Sequence, residues 1–347
     1  LADTNRPYEN VNRRRLYRVV LFSIPFALVV IALGAYTRLA DAGLGCPDWP
    51  GCYGFLSVPM KDHHVELAES RFPHAPVETA KAWWEMIHRY FAGTLGLLIL
   101  SAAILAGLAR REFVAAGAAP TERPPIRLPL ALLVLVCIQA AFGAWTVTLK
   151  LWPQVVTTHL LGGFATLSLI WLLALRLGLG SSWHAPHALR RHAMVALLFV
   201  IVQIALGGWV SSNYAALACH DFPTCHGEWW PPMDLKSGFD FAQTIGPNYL
   251  GGELESDARV GIHFMHRIGA LIVLGVVGSL AWRLLRQRSP LAMPLAAVLA
   301  LQILLGILNI VLVLPLGNAT LHNVVGAILL LTVVAVNYRA FRAGRPA

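Results

Sequence analysis

Four histidines stand at matching places in two halves of the chain: His88 and His266 within MIHR and FMHR segments, His159 and His322 in later apolar runs. Each falls about one turn inside the start of its run. An imidazole inside a lipid-spanning helix is costly unless a partner satisfies it, so four in register ask for a ligand. Two histidines on facing helices can hold one heme iron from both sides. Hydrogen bonding to neighbouring helices is the plainer account of any single one; the matched quartet favours metal or heme. Zinc fits less well, because neither pair carries the further Cys, His or carboxylate of a four-coordinate site.

Glu85 precedes His88 by three residues and shares its helical face. A carboxylate there could position a proton, a water or an oxidised intermediate, and it would equally suit a helix N-terminus. The second copy has His263 at that position. The asymmetry points to a reactive first half and a permanent heme in the second. Arg89 and Arg267 follow His88 and His266 directly. A guanidinium can grip a heme propionate bidentately, and an arginine at a helix end can also simply snorkel to the interface.

Four of the five cysteines form two pairs in the outer loops, Cys46 with Cys52 and Cys219 with Cys225. An oxidising outer compartment makes both pairs expected disulfides. Stapling of the loops is the default role, with exchange against a thiol partner as the alternative. Cys137 lies alone in a span and reads as inert packing. His63, His64, His74, His220 and His226 fall in the loops and read as solvated or capping. Walker loops, Rossmann glycine motifs and Ser-His-Asp arrangements are not apparent, which argues against ATP-driven or nicotinamide-dependent chemistry.

The elements that carry these residues are membrane spans. The 347 residues are 57% hydrophobic and 13% charged, with a mean hydropathy of +0.61, values that exclude an ordinary soluble domain. Eight apolar runs are read at 18–41, 84–109, 128–149, 155–178, 191–212, 260–283, 291–313 and 318–340. Each is long enough to cross ~30 Å of hydrocarbon. The first run follows an Arg-rich segment, lacks a small-residue cleavage site and reads as the first span. Eighteen of the 27 Lys and Arg, Arg6 and Arg345 among them, fall on the side that holds both termini. The net charge of +9 is therefore a topology signal rather than a nucleic-acid footprint. The expected location is the inner (cytoplasmic) membrane, multi-pass, with both termini cytoplasmic and the histidines toward the outer side.

The chain is also duplicated. GAYTRLADAGLGCPDWPGC (34–52) aligns with GGWVSSNYAALACHDFPTC (207–225) at an offset of 173, and MIHRYFAGTLGL with FMHRIGALIVLG at 178. Gln139 with Gly143 aligns with Gln302 with Gly306, and His159 with His322, at 163. An even number of spans per copy gives parallel repeats about an axis along the membrane normal. The expected fold is an all-α integral membrane protein with eight transmembrane helices, arranged as two tandem, pseudo-twofold-related four-helix bundles. Residues 1–180 form the N-terminal half and 181–347 the C-terminal half. Second and fourth helices of such a bundle lie diagonally, which sets His88 against His159 and His266 against His322.

Taken together, TRLADAGLGCPDWPGC, EMIHR, TTHLLGG, QIALGGWVSS, IHFMHR and LHNVVGA, in this order, closely resemble the heme A synthase family. The resemblance covers nearly the whole chain. It implies oxidation of the C8 methyl of heme O to a formyl group, giving heme A for cytochrome oxidase. It further implies that the first half holds substrate heme O through His88 and His159, with Glu85 essential nearby. Heme b would sit in the second half between His266 and His322. Implied partners are the farnesyltransferase that supplies heme O and an electron donor, a thiol-disulfide protein or a quinone; homo-oligomerisation is left open. His263 beside His266 is a rival ligand. A diheme b-type cytochrome that only carries electrons and a heme exporter or chaperone are the competing functions.

Overall fold

A computed structural model describes residues 11–120 and 122–343; Arg6 and Arg345 lie outside the described residues. Eight helices are long and apolar enough to cross a membrane. They are α1 (Val11–Leu39), α3 (Thr79–Ala115), α4 (Arg127–Thr148), α5 (Pro153–Arg176), α6 (Arg190–Ser212), α8 (Ser256–Arg286), α9 (Ala292–Val311) and α10 (Leu316–Arg342). Two shorter helices, α2 (Asp62–Arg71) and α7 (Leu235–Gly238), lie in the long loops. No strand occurs among the described residues. This is an all-helical, multi-pass membrane protein.

Most spans extend beyond their apolar stretches. α3 runs for 37 residues because TAKAWW before the apolar run and RREFVA after it continue the same helix. At 1.5 Å per residue it is about 55 Å long, well beyond the hydrocarbon thickness. Hydropathy marks where lipid begins, whereas backbone hydrogen bonding carries the helix on into the interface.

The copies repeat down to backbone conformation. The α4–α5 turn places Lys150 and Leu151 at φ 49° and 61°, and the α9–α10 turn places Val313 and Leu314 at 57° and 56°. Their closing bonds match, Leu151 N–H to Thr146 O at 2.8 Å and Leu314 N–H to Asn309 O at 2.7 Å. In the long loops Asp48 accepts from the amides of Tyr53 and Gly54, and Asp221 from those of His226 and Gly227. The loop disulfides Cys46–Cys52 and Cys219–Cys225 are both present.

Helix contacts follow the same symmetry. α1, α3, α4 and α5 touch in a ring, as do α6, α8, α9 and α10, an arrangement compatible with two four-helix bundles. Two equivalent seams, α1 with α10 and α6 with α5, join the rings, and one apolar core runs through all eight helices. Across the end of the join nearest the long loops, Arg38 donates to Ser211 O at 2.5 Å and lies over the Tyr214 ring, whose hydroxyl meets Asp41 at 2.9 Å. Cys137 is exposed on the outward face of α4, so it is not packed in the interior as its sequence context suggested. α4 is also the least buried span.

Candidate functional site

The four histidines lie toward the start of α3, α5, α8 and α10. Because α3 and α8 begin upstream of their apolar stretches, His88 is the tenth residue of its helix and His266 the eleventh of its own. That is about 14–15 Å along the axis, deeper than the single turn read from sequence. His159 and His322 are each the seventh residue of their helices.

Each ring rests on a glycine of an adjacent helix. A Cβ built on Gly34 of α1 would lie 2.9 Å from His88 Cε1, and one on Gly143 of α4 would lie 3.4 Å from His159 Cε1. Cβ atoms on Gly207 of α6 and Gly306 of α9 would each lie 3.2 Å from the Cε1 of His266 and His322. A side chain at Gly34 would force the ring to shift and one at Gly207 or Gly306 would crowd it, whereas Gly143 sits at ordinary contact distance. His88 lies within coulombic reach of His159, and His266 of His322.

The Nδ1 atoms of His88, His159 and His322 are buried and have no hydrogen-bond partner among the described residues. A buried polar group left unmet costs about 1–3 kcal/mol, and there is no water in the hydrocarbon to relieve it. Paired imidazoles, glycine cradles and unmet ring nitrogens suit a flat iron macrocycle between helices.

The halves differ beside the rings. Gln203, one turn below Gly207, places its amide 3.1 Å from His266 Nδ1. Gln302, one turn below Gly306, reaches His322 Nε2 at 3.3 Å. In the first half the residue equivalent to Gln203 is Val30, and the Gln139 amide is tucked against Gly162 instead. Gln203-x3-Gly207 is a third instance of the motif seen at Gln139 and Gln302, a signal in the sequence that the duplication alignment passed over.

Above the rings, the disulfide loops are clamped to the helices. Glu85 is buried; its Oε2 accepts from the Cys46 amide at 2.9 Å, and its Oε1 is paired closely with Arg89. Arg89 also donates to the carbonyls of Asp48, Pro50 and Gly51. In the second half His263 Nδ1 lies 3.2 Å from the Cys219 amide and its Nε2 3.3 Å from Arg267 Nε, and a neutral ring accepts from one of the two. Arg267 further donates to the carbonyls of Cys219, Asp221 and Thr224. Both nitrogens of His263 thus face the loop clamp. Burial, with Glu78 next in weight, pushes the Tyr53 hydroxyl up to about 12, so it stays a donor to Pro76 O at 2.9 Å. Hydrogen bonds, that from Thr224 first, hold the Asp221 carboxyl well below the usual carboxylate range.

Fold and site together define a polytopic membrane protein that presents two histidine-pair centres, each under a disulfide-closed cap. The model of the cytochrome oxidase assembly protein family matches residues 17–334. The chain is 47% identical to a heme A synthase of Shewanella oneidensis, over 91% of this chain and 94% of that protein. It is 29% identical to the heme A synthase of Novosphingobium aromaticivorans, covering 89% of this chain and 90% of the relative. With that of Caulobacter vibrioides the identity is 27% over 98% of both. The chain belongs to the cytochrome oxidase assembly family that includes these heme A synthases.

Proposed function

We propose that this chain is a heme A synthase, a membrane oxidoreductase that converts the C8 methyl of heme O into the formyl of heme A. The observation that carries this reading is the near full-length identity of 47% to a protein of that name, joined to two glycine-cradled histidine pairs. Each of two successive oxidations takes two electrons from the methyl carbon and adds one oxygen, from dioxygen or from water with an electron acceptor, giving an alcohol and then a gem-diol that loses water to leave the aldehyde.

His88 and His159 are the proposed holders of heme O, and residues 1–180 the substrate half. His266 and His322 would hold heme b in residues 181–347; when bound, it supplies electron transfer. With its amide turned so that the oxygen accepts from Nδ1–H and Nε2 is left for iron, Gln203 would fix the His266 ring in orientation, which suits a permanent occupant there. Val30, at the matching place in the first half, has no side-chain amide to offer His88 and meets that ring through its backbone alone. Glu85, one turn from His88 and dry, is placed to hold a proton or a hydroxylated intermediate. Arg89 and Arg267, which directly follow His88 and His266, are the cations that would meet the propionates.

The remaining assignments follow from the same reading. The protein sits in the inner membrane with both termini cytoplasmic and the histidine centres toward the outer side. Heme O comes from a farnesyltransferase, and electrons from a thiol-disulfide protein or a quinone. To test the function, purified protein is given heme O, a reductant and air, and the extracted porphyrin is analysed by mass. Formation of heme A is expected; unchanged heme O under every reductant would reject the reading.

A further inference from the structure

At the end of the spans opposite the histidines, Arg110 of α3, Arg127 of α4 and Arg176 of α5 converge on one cavity of ≈ 270 Å³, walled by Ile126 and Leu128. It adjoins a second cavity of ≈ 480 Å³ through Arg110 and Ile126, where Arg111 adds a fourth cation and Val114 more apolar wall. No carboxylate lines either one. The two acids of the α3–α4 segment are engaged elsewhere, Glu112 with Asn12 at 2.6 Å and Glu122 with the Ala119 amide at 2.9 Å. Arg127 and Arg176 have no ion pair or side-chain hydrogen bond among the described residues. Arg110 spends one N–H on the Pro124 carbonyl and fixes the segment that roofs the cavity.

The second half is not built this way. The offset of 163 puts Pro290 where Arg127 stands, and Arg339 where Arg176 stands. Arg339 donates to Leu179 O at 2.7 Å and stacks on Tyr338, so it is already committed. Positive-inside topology alone asks only for cations at this end. It does not ask for three helices to aim them into one apolar-walled hollow in the first half.

We propose that this hollow binds the phosphate of an anionic phospholipid. The guanidinium forks take the phosphate oxygens, and the Ile126, Leu128 and Val114 surface takes the glycerol and upper acyl chain. Planar guanidinium groups match phosphate geometry, and basic pockets between spans are sites of this kind. The proposal is independent of the histidine centres.

Full-length protein, delipidated in neutral detergent, is titrated with phosphatidylglycerol, phosphatidylcholine or inorganic phosphate. Bound lipid is counted by native mass spectrometry, and thermal stability is followed in parallel. One tightly retained phosphatidylglycerol is expected, with phosphatidylcholine and phosphate far weaker. Arg127→Gln with Arg176→Gln should weaken it about thirtyfold, which corresponds to about 1 kcal/mol for each charge removed. Arg286→Gln with Arg288→Gln, an equal charge loss at the same end of the other half, should leave it unchanged. Equal retention of phosphatidylcholine, equal affinity in the Arg127/Arg176 double variant, or an equal loss in the control pair would overturn the proposal. Saturation by inorganic phosphate alone would overturn the lipid assignment. Wild-type lipid discrimination decides the matter even if a variant folds poorly.

Discussion

Glu85 and His263 fill the same place in the two copies: each faces the amide of the first loop cysteine and an N–H of the arginine one turn further along. Both side chains anchor the loop, but the carboxylate accepts both N–H groups at once whereas a neutral imidazole accepts only one. Only the carboxylate brings a negative charge to the space above the first histidine pair. The anchoring role is common to both halves, so what is special about Glu85 is its charge and its proton.

Substitution can separate the two roles. Glu85→His should keep the cap closed, as His263 does, retain heme in both halves and stall methyl oxidation. Glu85→Ala should stall it too and also destabilise the protein by on the order of 3 kcal/mol, because Arg89 then stays buried without its partner. Thermal unfolding and product analysis of the two variants make the distinction. Full turnover in Glu85→His would reduce Glu85 to an anchor.

Gln203→Val gives the second half the side chain found at the matching place in the first. The loss of one buried hydrogen bond to the ring is worth about 1 kcal/mol, roughly fivefold in heme dissociation. Transfer to an excess of a heme-scavenging globin, followed by absorbance, measures this. An unchanged rate would mean that Gln203 only fills space.

The glycine cradles set a steric limit. Gly34→Val and Gly207→Val would drive a branched side chain into the His88 and His266 rings and should each abolish retention in one half alone. Extraction of bound porphyrin from each variant shows which half has been emptied. Loss from both halves at once would instead indicate a collapsed fold.

Asp221 sets a pH window for the second cap. Its carboxyl is held below the usual carboxylate range, so the stability it adds is fully present above the unfolded value of 3.8. That stability is lost only as pH falls through the lower folded value. Proteolysis of the 213–259 loop should therefore be no faster at pH 4 than at pH 7. Asp221→Ala should be cut readily at both, having lost the acceptor for Thr224, His226 and Gly227.

The sequence displayed what periodicity and composition encode. Eight apolar runs became eight long helices, and the Cys-x5-Cys pairs became disulfides. It displayed poorly what depends on where side chains turn. The α2 helix has no apolar stripe to announce it, since it lies over a loop and only Ala68 is buried. Arg89 and Arg267, read as partners for propionates, also bind loop carbonyls that no local pattern marks. Gln203 was hidden because Val30 breaks the repeat at that one position.

The central claim is a division of labour between two histidine-pair centres, and porphyrin mass analysis of His88→Ala and His266→Ala tests it most directly. His88→Ala is expected to lose heme O and heme A while keeping heme b, and His266→Ala to lose heme b. Identical pigment in both variants, or heme b lost from His88→Ala, would contradict the account.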